Sequence, residues 1–419
     1  MNLTKQLLKK AGHISFHTPS HANIINSALL SLDVTELPYS DNLLSPKGII
    51  KKLQDDIAAI YNLAACFIST QGATSSIMTA ILALKNLGSF LVVGSAHVSV
   101  YNALRLFNCK AWRVDEITED TYFPSDVAVA IITSPNYFGK CLNLNKITSI
   151  FKNKNILCLI DASHGGHFVF SDKLPVSATE YGDLVIHSLH KTLPVLTGGS
   201  ILLLKDDTYF CNVSLARKTL HSTSPNYMVM ASIDYAFSDY KTNGKTYYDK
   251  MFYTISNFKN NLPAPFSVMP TDDFSRLVIS SPFDSKVIYN NLARLGIYAE
   301  MYYKNMVVFI VNKNNYAYLP KLIEALGVLS QKKFAKYKND NYTYSNQNTP
   351  IELFFGKEFE LVDLENSENR QLFNEVGFYP PGVPVFYGGH IITKKDIALL
   401  KKHCEDCFGL EYGKACVVK

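Results

Sequence analysis

The sequence predicts an α/β protein with a mostly parallel sheet in a large domain, followed by a smaller C-terminal α/β domain. Three observations predict it. Short apolar runs rich in β-branched residues, CFIS at 66–69, FLVV at 90–93, VAVAIIT at 127–133, ILCLI at 156–160 and LVI at 184–186, alternate with stretches whose apolar residues recur at helical spacing. The runs give way to residues capable of chemistry: Thr133 and Asp161 close two of them, Ser188, His190 and Lys191 follow a third, and His97 lies beyond a fourth. After about Pro263 the texture changes to FSRLVISS, a helical IYNNLARLGIYAEM and a strand-like VVFIV. The expected division is an N-terminal segment at 1–45, a large domain at 46–260 and a small domain at 261–419.

Composition bounds the answer. A chain of 419 residues with 47% hydrophobic and 18% charged residues can bury a substantial core, and a formal charge of +5 spread along it gives no argument for nucleic acid. The first residues, MNLTKQLLKKAGH, lack the apolar core of a secretory signal, and no run approaches the roughly 18 apolar residues of a membrane span. A soluble cytoplasmic protein is expected. Its eight cysteines are scattered and expected to be reduced. His403, Cys404, Cys407 and Cys416 contain one Cys-x-x-Cys, but a single pair in an expected C-terminal helix is a poor zinc site, and no metal is expected.

In chain order, residues 3–11 read as an amphipathic helix. His13, His17 and His21 would share a helical face, but Pro19 breaks that helix. From Pro46, the positions Ile49, Ile50, Leu53, Ile57 and Ile60 mark a core helix. The run at 66–69 leads to Gly72, Ala73, Thr74 and Ser75 at a helix start, where free backbone N–H groups and the positive dipole end favour a phosphate. His97, Thr133, Asp161 and Lys191 all fall at the carboxyl ends of strands, the edge at which such sheets bind ligands. The polar stretch Gln331 to Pro350 reads as a loop.

An acid and an amine delivered by separate strand ends to one crevice meet the needs of pyridoxal phosphate (PLP). The amine forms a Schiff base with the aldehyde, and the carboxylate keeps the pyridine nitrogen protonated so that the ring accepts electrons. Lys191 and Asp161 are assigned these roles. A rival reading takes Asp161-x-x-His164-x-x-His167 as a metal set of a hydrolase, but it leaves Ser-x-His-Lys-Thr unexplained.

The order Asp-x-x-His-Gly-x-His-Phe from Asp161, then Gly-Asp-x-x-x-x-Ser-x-His-Lys-Thr-Leu-Pro-x-Leu-Thr from Gly182, resembles the bacterial ornithine/lysine/arginine decarboxylases, fold-type-I PLP enzymes of the aspartate aminotransferase-like class. The resemblance implies a phosphate site at Gly72, Ala73 and Thr74, with Ala73 in place of a hydroxyl residue. It also implies a ring-stacking role for His97, phosphate and cofactor contacts for Ser188 and His190, and a place near ring or substrate for His164, with His167 as readily structural. HSTSPNYMVMASIDYA resembles the segment that reaches a neighbour's phosphate, so His221 to Asn226, through Thr223 and Ser224, are expected to act across a homodimer. Glu300 matches the family's Gly-Ile-x-x-Glu, and Gly377-Phe-Tyr-Pro-Pro-Gly-Val-Pro matches its Tyr-Pro-Pro-Gly-x-Pro. The chain departs from the pattern at Ser20 and Ala22, in FHTPSHA, and at Tyr387-Gly388-Gly389-His390, where the family carries Pro-Gly-Glu. The short form of the family is expected, without the appended receiver-like domain or the C-terminal extension. The implied function is decarboxylation of lysine, ornithine or arginine; another PLP reaction on the same scaffold, such as an aminotransferase or aldolase, and a catalytically silent paralogue remain as alternatives.

Overall fold

A computed structural model describes the backbone of residues 14–16 and, in full, residues 40–337, 349–356, 358–379, 382–403 and 406–419. The helix at 3–11, the three N-terminal histidines, Ser20 and Ala22 lie outside the described residues.

A short strand, β1 (Ile14–Phe16), precedes the main sheet. That sheet contains β2 (Ala65–Ser69), β3 (Ser89–Val93), β4 (Ala111–Val114), β5 (Val127–Thr133), β6 (Leu157–Asp161), β7 (Leu184–Ser188) and β8 (Ser200–Leu204) in the spatial order β4-β3-β5-β6-β7-β8-β2. The five strands from β4 to β7 are parallel. β8, a run counted in no strand above, is antiparallel to both its neighbours. It reverses because residues 189–199 hold only a 3-10 turn, Leu189–Lys191, and a parallel return needs a longer crossover.

β2, β3, β7 and β8 are buried at every position, as a sheet covered on both faces requires. Alternate residues supply the two faces: Phe90, Val92, Val129 and Ile131 enter one core, and Leu91, Val93, Ala130 and Ile132 the other. Helix α1 (Ile49–Ile60) packs into a third core on the outer strands, α2 (Gly72–Leu84) and α3 (Val98–Leu106) cover the first face, and α4 (Leu144–Lys152) covers the second. After α5 (Phe210–Leu220), the long α6 (Tyr227–Asn260) leads out of this layer.

Next come β9 (Ser267–Val268), β10 (Arg276–Ser280), α7 (Ser285–Arg294), β11 (Ile297–Ala299), β12 (Met301–Tyr303), β13 (Met306–Ile310) and α8 (Leu319–Ser330). The antiparallel order is β12-β13-β10-β9, and β11 pairs in parallel with β1. The single helix expected through Met301 stops at Arg294, because Gly296 takes φ +80° and turns the chain into β11.

β14 (Ile351–Glu352) adds an antiparallel edge to β4. The chain then forms β15 (Phe359–Asp363), β16 (Val376–Phe378), β17 (Val383–Phe386), α9 (Lys394–Lys402), β18 (Cys407–Phe408), β19 (Leu410–Glu411) and β20 (Lys414–Val418), whose own core includes Leu372, Val376, Phe386, Leu400 and Val417. Residues 261–419 thus contribute to three separate cores. α9 ends before His403, so Cys407 and Cys416 stand on strands and not on the expected helix. Among the described residues no group of three or more His, Cys, Asp or Glu is placed to hold a metal ion, and no helix is long and apolar enough to cross a membrane.

Candidate active site

Parallel register places the site. Thr133 at the end of β5 pairs with Asp161 at the end of β6, and Asp161 pairs with Ile186, two residues before Ser188 on β7. Lys191 follows in the 3-10 turn, and His97 starts α3 beyond β3. All these side chains therefore issue from the carboxyl edge of adjacent strands.

Asp161 is 3% exposed; its Oδ1 accepts from the backbone N of Ser163 at 3.1 Å and from the Ser163 hydroxyl at 2.5 Å. Oδ2 accepts no hydrogen bond among the described residues and is left for a further donor. The Lys191 amine lies 3.3 Å from His164 Nε2 and 5.8 Å from the centre of the Tyr137 ring. Burial pushes the Lys191 ammonium down, against Asp161 and Glu300 and with Arg276. His164 is buried and held well below its usual value by desolvation and by the cations Lys191 and Arg276. Its Nδ1 is 3.3 Å from Arg276 Nη2, and the same nitrogen of Arg276 donates to the Lys191 carbonyl at 3.3 Å. His97 Nδ1 accepts from Ser99 N at 3.2 Å, capping α3, and burial with the Lys191 charge lowers its pKa to about 4.

The start of α2 offers an anion site. Gly72, at φ +81°, donates its N–H to Gly198 O at 2.7 Å, and no side chain caps the following turn. Ala73 and Thr74 therefore open a helix whose first N–H groups have no side-chain partner. The Ser188 hydroxyl is buried, 3.5 Å from His190 Nδ1. The segment from His221 to Asn226 lies on the same turn: Thr70 N donates to His221 Nε2 at 3.2 Å, Ser222 N to Gln71 Oε1 at 3.3 Å, and Asn226 N to Thr70 Oγ1 at 3.3 Å. Thr223 and Ser224 are exposed there.

These residues fit PLP. Among the described residues they offer an amine, a carboxylate oxygen without a hydrogen-bond partner, an uncapped helix start, and in Thr133 a buried hydroxyl that lacks a hydrogen bond. Other sequence candidates lie apart from that edge. His167 turns away to Asp273, with Nε2 3.2 Å from Oδ2. His390 pairs with Asp396 at 2.9 Å and stacks on Phe386, while Tyr387 packs on Tyr101 and beneath the Arg113 guanidinium, so this stretch ties the C-terminal layer together and onto the sheet edge.

Three groups at the site had been given no role from sequence. Arg276, on β10, is 1% exposed. Tyr137 Oη donates to Glu300 Oε1, and Tyr379 lies within electrostatic reach of the same carboxylate. Tyr379 also meets His97 edge-on at 6.2 Å, beside Gly382, where an added Cβ would stand 2.9 Å from His97 Nε2. The one local signal was an arginine inside the apolar run FSRLVIS, since a charge is rarely fully buried without a task or a partner.

Fold and site together define a fold-type-I PLP-dependent enzyme, the class of the solved structures this chain resembles. The chain belongs to the Orn/Lys/Arg decarboxylase family: the model described as "Orn/Lys/Arg decarboxylase, major domain" matches residues 9–111 and 110–292. It is 26% identical over 440 residues to the uncharacterized protein YaaO of Bacillus subtilis, covering 93% of this chain and 90% of that one. It is likewise 26% identical over 451 residues to an arginine decarboxylase of Bacillus anthracis, covering 94% and 91%. The constitutive lysine decarboxylase of E. coli superposes with a TM-score of 0.72 at 16% identity, covering 94% of this chain and 76% of that one.

Proposed function

We infer that this protein catalyses PLP-dependent decarboxylation of a basic amino acid, releasing CO2 and an amine. The observation that carries the reading is the meeting of the Lys191 amine and the open carboxylate of Asp161 at one sheet edge, in a chain of the decarboxylase family. Bound PLP supplies an electron sink for the pair left when the bond from Cα to the carboxylate breaks. Lys191 would hold the cofactor and Asp161 its ring nitrogen. The N–H groups of Ala73 and Thr74, at the turn that Gly72 opens, with Ser188, His190 and Thr133, would hold its phosphate and flank, and His97 its ring face. Burial of Asp161, His164 and Ser188 keeps bulk water from the reacting carbon. Glu300, with Tyr137 and Tyr379 around it, supplies an anionic, aromatic wall suited to the distal cation of lysine, ornithine or arginine.

The test is the absorption spectrum of the purified protein, followed by trapping of CO2 with each of these amino acids. A visible band that borohydride fixes onto Lys191, with CO2 released from one of them, is the expected result; a bound cofactor that yields a keto acid and no CO2 would replace decarboxylation by transamination. We further propose a homodimer in which Thr223 and Ser224 complete the partner's phosphate site. Mixing Lys191→Ala chains with Thr223→Ala/Ser224→Ala chains would then restore activity, because each mixed dimer regains one intact site; no restoration means that the segment acts within its own chain.

A further inference from the structure

The small domain sends one cation to the floor of the site, and its hydrogen bonds have a chemical consequence. Arg276 Nη2 stands 3.3 Å from His164 Nδ1. A guanidinium donates and never accepts, so His164 Nδ1 must be the acceptor. Burial and the Arg276 guanidinium keep this imidazole neutral, and its one proton therefore sits on Nε2, the nitrogen 3.3 Å from Lys191 Nζ. An N–H aimed at an amine needs a lone pair to receive it, which an ammonium does not have.

We propose that Arg276 is a positioning residue: its guanidinium fixes the Nε2–H tautomer of His164 and through it holds Lys191 as a free amine, ready to capture an aldehyde. The inference rests on Lys191 being the cofactor's lysine. Arg276 is itself held from several sides. Its β10 backbone is in register with Ile310 of β13, and its Nη2 also donates to the Lys191 carbonyl. The buried carboxylate of Asp273 is its countercharge. Gly139 closes over it, because a Cβ there would lie 2.7 Å from the Arg276 Cβ. The remaining ionisable groups that act on Lys191 are Asp161 and Glu300, which favour its ammonium form, and His97 and His190 flank His164. Removing Arg276 thus frees the tautomer and removes a positive charge, and both effects shift Lys191 toward the ammonium.

The readout is the rate at which the cofactor-free full-length chain captures added PLP, followed by growth of the visible band across pH, without substrate. For Arg276→Met the midpoint of that rate profile should move up by about one unit, slowing capture about ten-fold on the acid side of the parent midpoint, and Arg276→Lys should restore most of the parent profile. An unmoved profile in Arg276→Met overturns the proposal. So does a raised KM with unchanged capture, which would make Arg276 a clamp for the substrate carboxylate. If Arg276→Met does not fold, 15N spectra of histidine-labelled parent protein, assigned with His164→Asn, decide instead: the Nε2–H tautomer at His164 supports the assignment, and the Nδ1–H tautomer overturns it. Failure of the parent protein to capture PLP would strike at the proposed function itself, a result separate from any of these.

Discussion

Asp273→Asn tests the buried charge set behind the site. Asp273 is 0% exposed; burial opposes its ionisation, but His167, Arg276 and the Ser275 hydroxyl outweigh that, and its pKa falls from 3.8 to about 2. The Ser275 hydroxyl donates to Oδ1 at 2.7 Å and Ser275 N to the same oxygen at 2.9 Å. A carboxylate held about two units below its unfolded value contributes roughly 2.5 kcal/mol to stability. Because the folded value is the lower one, this contribution is complete above the usual carboxylate range and is lost as pH falls from about 4 toward 2. Asparagine keeps the shape and removes the charge, so it also strips the countercharge from a buried guanidinium, a loss of up to about 5 kcal/mol. Urea unfolding near neutral pH should therefore find the variant weaker by about 2.5–5 kcal/mol, and the gap should narrow in acid below about pH 4. A variant within about 0.5 kcal/mol of the parent at neutral pH, or a gap indifferent to acid, refutes the charge argument.

Two further substitutions probe how the layers are joined. Gly139→Ala puts a Cβ 2.7 Å from the Arg276 Cβ and 3.3 Å from the Asp273 Cβ, at a φ of +77°, and should cost at least about 2 kcal/mol in thermal or urea unfolding while lowering CO2 release through the displaced Arg276. Arg105→Met leaves Glu375, whose side chain is 1% exposed and 2.6 Å from Arg105 Nη2, without its cation; a loss of about 3–5 kcal/mol is expected, seen as early proteolytic release of residues beyond about 349.

The placement of Asp161 and Lys191 at one sheet edge was legible because its signals are local. An apolar β-branched run that stops at Asp161, and another that leads to Lys191 within a few residues, fix which end of the sheet each side chain occupies before any packing is known. The reversed strand β8 was written just as locally, in SILLL, but its direction depends on the length of the preceding connection, not on its composition. The partners of Arg276 and Glu300 were beyond reach for another reason. Each of these two residues meets a partner more than a hundred residues away along the chain, Arg276 at His164 and Glu300 at Tyr137, and no spacing records those contacts.

The histidine pattern makes the same point about geometry. Asp161-x-x-His164-x-x-His167 reads as a ligand set if all three side chains share a helical face, but residues 162–167 form turns and no helix: Gly165 N donates to Ala162 O, and Phe168 N to Gly165 O. The tight path through Gly165 and Gly166, where added Cβ atoms would stand 2.9 Å from Pro135 and 3.1 Å from Thr192, divides the two rings. His164 faces Lys191 and His167 faces Asp273, yet both are bound into one charge set, because Asp273 balances the Arg276 that donates to His164. The spacing that imitates a metal site therefore serves to connect the amine beyond β7 to the buried carboxylate that precedes β10.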